Sequence, residues 1–201
     1  MIKTIVFDLG GVLIDWNPRY LYKKVFVSSE AIEYFLKHIC TFDWNEEQDA
    51  GRSLSEATCN LQLEYPYYQS EIAQYYQRWE EMLGEEIFPT VDLLYQLKSS
   101  GKYKIYALTN WSAETFPIAR TRYKFLSMFD DILVSGIEKI KKPEPEIFHL
   151  MISRFNLDIG TTLFVDDNQH NIEAAIKEGF KTVHFVDAEQ AKRKIIGLLL
   201  D

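Results

Sequence analysis

The chain has 201 residues, 47% hydrophobic and 14% aromatic, enough for one substantial core or a core with a small companion. Its 30 acidic residues outnumber the 22 basic ones, the net charge is −8, and the long basic tracts of a nucleic-acid binder are absent. No apolar run approaches the roughly 18 residues that span a bilayer, and the first residues lead straight into a strand without a basic leader, so a cytoplasmic protein with no membrane segment is expected.

In chain order, residues 2–7 form a short apolar run that ends at Asp8 and turns on Gly10 and Gly11. Such a run predicts a buried strand, and the glycines let backbone N–H groups approach an anion closely. The stretch 17–86 holds no convincing strand. It carries amphipathic helical patterns at about 18–26, 29–39, 53–64 and 68–83, and reads as a helical insertion. Ser53 begins a capping box closed by Glu56. Cys40 and Cys59 lie among apolar helix residues without metal-ligand spacing, which predicts packed, reduced thiols.

After Pro89 a strand–helix rhythm begins. A helix over 90–100 stops at Gly101. Strands are predicted at 103–108, 131–134, 162–165 and 181–186. Pro145 suits the first turn of a helix, and Asn168 suits the N-cap of another that ends at Gly179. Strands alternating with helices predict an α/β fold: a Rossmann-like parallel sheet of about five strands with helices on both faces, plus a small all-helical cap inserted after the first strand. The division is 1–16 with 87–201 for the core and 17–86 for the cap.

In an open parallel sheet, ligands bind beyond the carboxyl ends of the strands. Asp8, Thr109-Asn110 and Asp166-Asp167 all fall at such ends, and Lys142-Pro143 follows another strand. Taken in order, these four blocks resemble the haloacid dehalogenase-like hydrolase superfamily across essentially the whole chain. The resemblance is to the branch whose first block reads Asp-Leu-Gly rather than Asp-x-Asp.

The resemblance implies an Mg²⁺-dependent phosphatase acting through an aspartyl-phosphate. Asp8 would be the nucleophile, a role that splits a hard hydrolysis into two steps. The family's metal ligands fall on Asp8, the backbone carbonyl of Gly10, and Asp167. Hard oxygen donors suit Mg²⁺, which also lessens the repulsion between a carboxylate and a phosphate. Adjacent strand residues point to opposite sides, so Asp166 is expected behind the ligands, on a metal water or Lys142, with Asn171 steadying it. Thr109, Asn110, Lys142 and the backbone of Leu9 and Gly10 would hold the phosphoryl group. Lys139 and Lys141 are expected to be solvated.

One departure limits the resemblance. Most phosphatase relatives carry an acid two residues after the nucleophile, and here that place is Gly10. General acid–base help is worth ~10²–10⁴-fold. Three explanations stand: a good leaving group such as a sugar 1-phosphate, a substitute acid with Asp15 nearest in sequence, or residual catalysis. The expected partner is a small phosphorylated metabolite, with no nucleic acid, membrane or obligate protein partner. A 2-haloacid dehalogenase and a catalytically weak binding module are the alternatives. In the insertion, Arg52 reads as a surface residue that could also reach a substrate hydroxyl or phosphate, and Trp16, Trp44 and His38 as packing residues that could also line a cleft.

Overall fold

The structure, a computed structural model, describes residues 1–200. Strands β1 (Thr4–Phe7) and β2 (Ile14–Trp16) open the chain. Helices α1 (Arg19–Tyr22), α2 (Ser29–His38), α3 (Phe42–Asp49), α4 (Leu54–Glu64) and α5 (Gln69–Gln77) follow, then strand β3 (Leu83–Glu86). The remainder runs α6 (Phe88–Ser100), β4 (Lys104–Thr109), α7 (Phe116–Arg122), β5 (Asp131–Val134), α8 (Ser135–Glu138), α9 (Pro145–Phe155), β6 (Thr162–Asp166), α10 (Gln169–Lys177), β7 (Lys181–His184) and α11 (Ala188–Leu200).

Five strands form a parallel sheet in the order β5-β4-β1-β6-β7. Alternate residues of each strand enter opposite faces. Ile5 and Phe7 join one apolar cluster with Leu94 and Leu97 of α6 and Ile195 of α11. Val6 joins the other, with Phe148 and Met151 of α9 and Ile172 of α10. Helices on both faces and a doubly buried sheet match the α/β expectation.

The chain reverses direction across the sheet between β1 and β6, so a crevice opens there at the carboxyl ends. Register fixes what borders it. Phe7 pairs with Ala107 on one side and Val165 on the other, so Asp8 leaves the sheet level with Asp166.

Between β2 and β3 lie five α-helices with an apolar cluster of their own, built on Tyr22, Phe35, Ile72, Tyr75 and Trp79. The aromatic rings carry much of it, with Tyr22 and Phe35 centred 4.7 Å apart. β2 and β3 pair antiparallel, so the two chain crossings between sheet and helices form one ribbon.

Several local expectations need correction. β3 lies inside the stretch read as strandless, and β2 was not expected either; each is too short to show alternation. The helix expected over 18–26 is only Arg19–Tyr22, and that over 68–83 divides into α5 and a 3₁₀ turn at Trp79–Met82. Helices α3, α7, α8 and α11 had no range in the sequence expectation. The buried residues of α3, Asn45 and Gln48, are polar, so no apolar stripe marks it. Cys40 is buried as expected, but Cys59 is exposed. The cap of α4 is half a capping box: Ser53 Oγ accepts from the Glu56 N–H at 3.2 Å.

Candidate functional site

At the β1 terminus the chain turns abruptly. The Leu13 and Ile14 N–H groups donate to Leu9 O, and Gly11 takes φ +72°, a left-handed conformation that favours glycine. The turn leaves Asp8 facing the crevice, with the Leu9 N–H donating to its Oδ1 at 2.7 Å. Gly11 has a second constraint: a Cβ there would lie 2.2 Å from Asp167 Oδ2.

Lys142, 1% exposed, reaches into this space from the loop before α9. Its Nζ lies 2.6 Å from Asp166 Oδ2, 3.1 Å from Asp8 Oδ1 and 3.0 Å from Leu108 O. Asn110 holds the lysine's backbone at both ends: its Nδ2 donates to Lys142 O at 2.9 Å and its Oδ1 accepts from Lys142 N at 2.8 Å. The amide of Asn110 thus positions Lys142, a use that the sequence did not suggest. The Lys142–Pro143 peptide is cis.

The two acids after β6 are distinct. Asp166 is fully buried and saturated: Lys142 takes Oδ2, while the Asn168 N–H (2.8 Å) and Asn171 Nδ2 (3.0 Å) donate to Oδ1. Asp167 opens on the crevice, and His184 Nε2 meets its backbone oxygen at 2.9 Å. Asp8, Asp166 and Asp167 each offer an oxygen within 4.8 Å of the others.

Electrostatics follow from this packing. Burial pushes the Asp8 carboxyl up, Lys142 pulls it back, and Asp166 and Asp167 push it further up. Burial likewise raises Asp167, with Asp166 adding to the effect. Burial alone would lower Lys142, yet Asp166 and Asp8 hold it above its ordinary value. Three carboxylates face one ammonium, leaving two negative charges that a divalent cation would neutralise. The all-oxygen donor set suits a hard cation such as Mg²⁺. Thr109 Oγ1 is buried with no hydrogen-bond partner among the described residues, an orphan that an incoming oxyanion would satisfy.

Above the crevice is a cavity of about 360 Å³. Asp8, Gly10, Asn110 and Asp167 form its floor, and Phe42, Asn45, Glu46, Asp49 and Trp79 of the insertion form its roof. Trp16 lines it as well, whereas Trp44 packs edge-on against Tyr75 and His38 lies tilted against Tyr34. Arg52 is neither substrate-facing nor free: it bonds Gln48 Oε1 at 2.7 Å and Trp44 O at 3.0 Å, pinning the end of α3. Lys141, expected in solvent, instead pairs with Glu46 Oε2 at 2.7 Å across the crevice. Asp15 lies elsewhere, against Tyr20 Oη at 2.5 Å and beside Gly84.

The roof residues Asp49 and Glu46 were absent from the sequence reading. The available signal was Thr41, whose Oγ1 caps α3 by accepting from the Trp44 N–H at 3.0 Å.

A family model described as haloacid dehalogenase-like hydrolase matches residues 2–179. A sesquiterpene phosphatase from Aspergillus oryzae is 29% identical over 188 residues, covering 92% of this chain and 91% of that protein. A D-ribitol-5-phosphate phosphatase from Bacteroides thetaiotaomicron is 28% identical over 199 residues, covering 90% and 91%. Among solved structures, a family enzyme from Bacteroides thetaiotaomicron in complex with magnesium and inorganic phosphate superposes with a TM-score of 0.69 at 23% identity, covering 92% of this chain and 94% of that one.

Proposed function

The chain belongs to the haloacid dehalogenase-like hydrolase family, and we propose that it is an Mg²⁺-dependent phosphatase of small phosphorylated metabolites working through a phosphorylated Asp8. The observation that carries this reading is the charge left over at the crevice. Lys142 balances one of the three carboxylates, and the remainder calls for a dication, which phosphoryl transfer uses and dehalogenation of a 2-haloacid does not need.

Each residue then has a task. The Leu9 N–H and Lys142 both hold Asp8 Oδ1, which fixes the carboxylate for in-line attack on phosphorus. Lys142 and the orphan Thr109 hydroxyl face the developing charge on the phosphoryl oxygens. Asp8, the Gly10 carbonyl and Asp167 would hold the Mg²⁺, which when bound supplies charge neutralisation at the phosphate. Asp166 and Asn171 keep Lys142 in place from behind. On this reading residues 1–16 with 87–201 are the catalytic core, and 17–86 a cap that selects the organic part of the substrate.

Two substrate classes fit the cavity. A sugar 1-phosphate would use Asn45, Glu46 and Asn168, and has a comparatively good leaving group. The rings of Trp16, Phe42, Trp79 and Trp111 favour a second class, phosphates of apolar alcohols such as isoprenoids. A cytoplasmic setting is part of the reading, supported by Cys40 and Cys59 both being free thiols. The test is phosphate release from a panel holding both classes, with Mg²⁺ and with chelator. Chelator-insensitive halide release from 2-haloacids, with no phosphate release, would give the site to dehalogenation instead.

A further inference from the structure

The acid missing beside the nucleophile leaves the cavity to be searched for another. The carboxyl-bearing residues lining it are Asp8, Glu46, Asp49 and Asp167, and no histidine joins them. Asp8 and Asp167 belong to the floor. Glu46 is engaged by Lys141 Nζ. Asp15 faces Tyr20 and Gly84, away from the cavity. Asp49, the last residue of α3, has no ion-pair partner among the described residues and stands in the roof above Asp8 and Gly10.

We propose that Asp49, delivered from the helical insertion, replaces the acid absent at position 10 and exchanges the proton of the leaving-group oxygen. The proposal rests on the phosphatase reading. Asp8 attacks phosphorus, the bond to the leaving oxygen breaks, and that oxygen takes its electron pair and the Asp49 carboxyl proton. In the second step Asp49, now a carboxylate, takes a proton from water as the water oxygen attacks phosphorus. The bond to Asp8 then breaks, phosphate departs, and Asp49 is protonated again.

Three observations place this carboxyl deliberately. The junction of α3 and α4 is locked to the core on both sides, by Glu46–Lys141 at 2.7 Å from α3 and by the Leu54 N–H on Glu114 Oε1 at 2.8 Å from the start of α4. Gly51, just beyond, takes φ +99°, and a Cβ there would lie 2.8 Å from Lys139 Cγ, so the backbone seats close against the core. Arg52 folds back on Gln48 and Trp44 O, fixing the helix end itself.

The surroundings keep the acid protonated. Burial pushes Asp49 up to about 8, and Glu46 adds to that. Lys141 and the Ser112 N–H pull down, and Asp8 pushes up. Tyr75 and Tyr76 of α5 are its other titratable neighbours. A carboxyl so placed donates at neutral pH, as a general acid must.

The experiment compares leaving-group release in single turnover from 2,4-dinitrophenyl, 4-nitrophenyl and phenyl phosphate, with Mg²⁺, for wild type, Asp49→Asn and Asp49→Glu. A good leaving group needs little protonation. Asp49→Asn should therefore lose about 100-fold or more on phenyl phosphate but less than about 10-fold on the dinitrophenyl ester, and Asp49→Glu should recover part of the loss. Wild-type rates on phenyl phosphate should fall above about pH 8, a limb missing from Asp49→Asn. Asp49→Asn should still bind beryllium fluoride, the mimic of phosphorylated Asp8. Equal losses on all three esters, no loss on phenyl phosphate, or failure to bind beryllium fluoride would overturn the assignment. A wild type inert toward every ester would overturn the phosphatase reading, and this assignment with it. An active wild type matched by Asp49→Asn would overturn this assignment alone.

Discussion

Replacing Lys142 by methionine keeps most of the side chain's volume and removes its charge. The lysine is 1% exposed and Asp166 is fully buried, so the change strands a carboxylate that water cannot reach. Asp166 keeps two donors, the Asn168 N–H and Asn171 Nδ2, but loses its cation at 2.6 Å. Asp8 loses its contact at 3.1 Å, and Leu108 O loses a donor at 3.0 Å. Breaking a buried pair from one side costs about 3–5 kcal/mol, a large part of the roughly 5–15 kcal/mol that keeps a domain folded. Urea unfolding followed by circular dichroism, with chelator present, measures it. The deficit should shrink as pH falls, because burial already pushes the Asp8 carboxyl up and, without Lys142 to pull it back, Asp8 takes up a proton in the folded state. Lys142→Met with Asp166→Asn should recover at least half of the loss, since no bare charge then remains at β6. A deficit below about 1 kcal/mol, or a double variant no better than the single, would refute the reasoning.

Gly10 and Gly11 should respond in opposite ways. At Gly10 the backbone is not left-handed and an added Cβ meets nothing within 4 Å, so Gly10→Asp should stay within about 1 kcal/mol of wild type in urea unfolding. Gly11→Ala must move Asp167 and strain a φ of +72°, so it should lose more than about 1 kcal/mol and weaken Mg²⁺ binding in titration calorimetry. Asp49→Asn should be more stable than wild type at neutral pH. A carboxyl raised from 3.8 to about 8 on folding favours the native state below pH 4 and loses that contribution as pH rises through 8. The gain in urea midpoint should therefore vanish near pH 4.

The three central strands were legible because β1, β4 and β6 are short, largely apolar runs that lead into a polar residue, Asp8, Thr109 and Asp166. The geometry beyond the strand ends was less so. Nothing in Asn110 signals that its amide clasps the backbone of Lys142, and nothing in Lys141 signals a partner as distant in sequence as Glu46. The roof was hidden for a different reason. Helix α3 buries Asn45 and Gln48, which bond Tyr76 Oη at 3.1 and 2.6 Å, so hydrogen bonds rather than an apolar stripe hold it. A helix held that way leaves no periodicity to read, and Asp49 went unseen with it.

Chemical trapping of phosphorylated Asp8 tests the central claim most directly. Wild-type protein turning over 4-nitrophenyl phosphate with Mg²⁺ is quenched in acid, reduced with borohydride, and mapped by tandem mass spectrometry. Reduction converts a phosphorylated aspartate to homoserine. The account predicts homoserine at position 8 alone, its loss with chelator, and neither turnover nor label in Asp8→Asn. Phosphate release with an unmodified Asp8, or label at any other carboxylate, would contradict it.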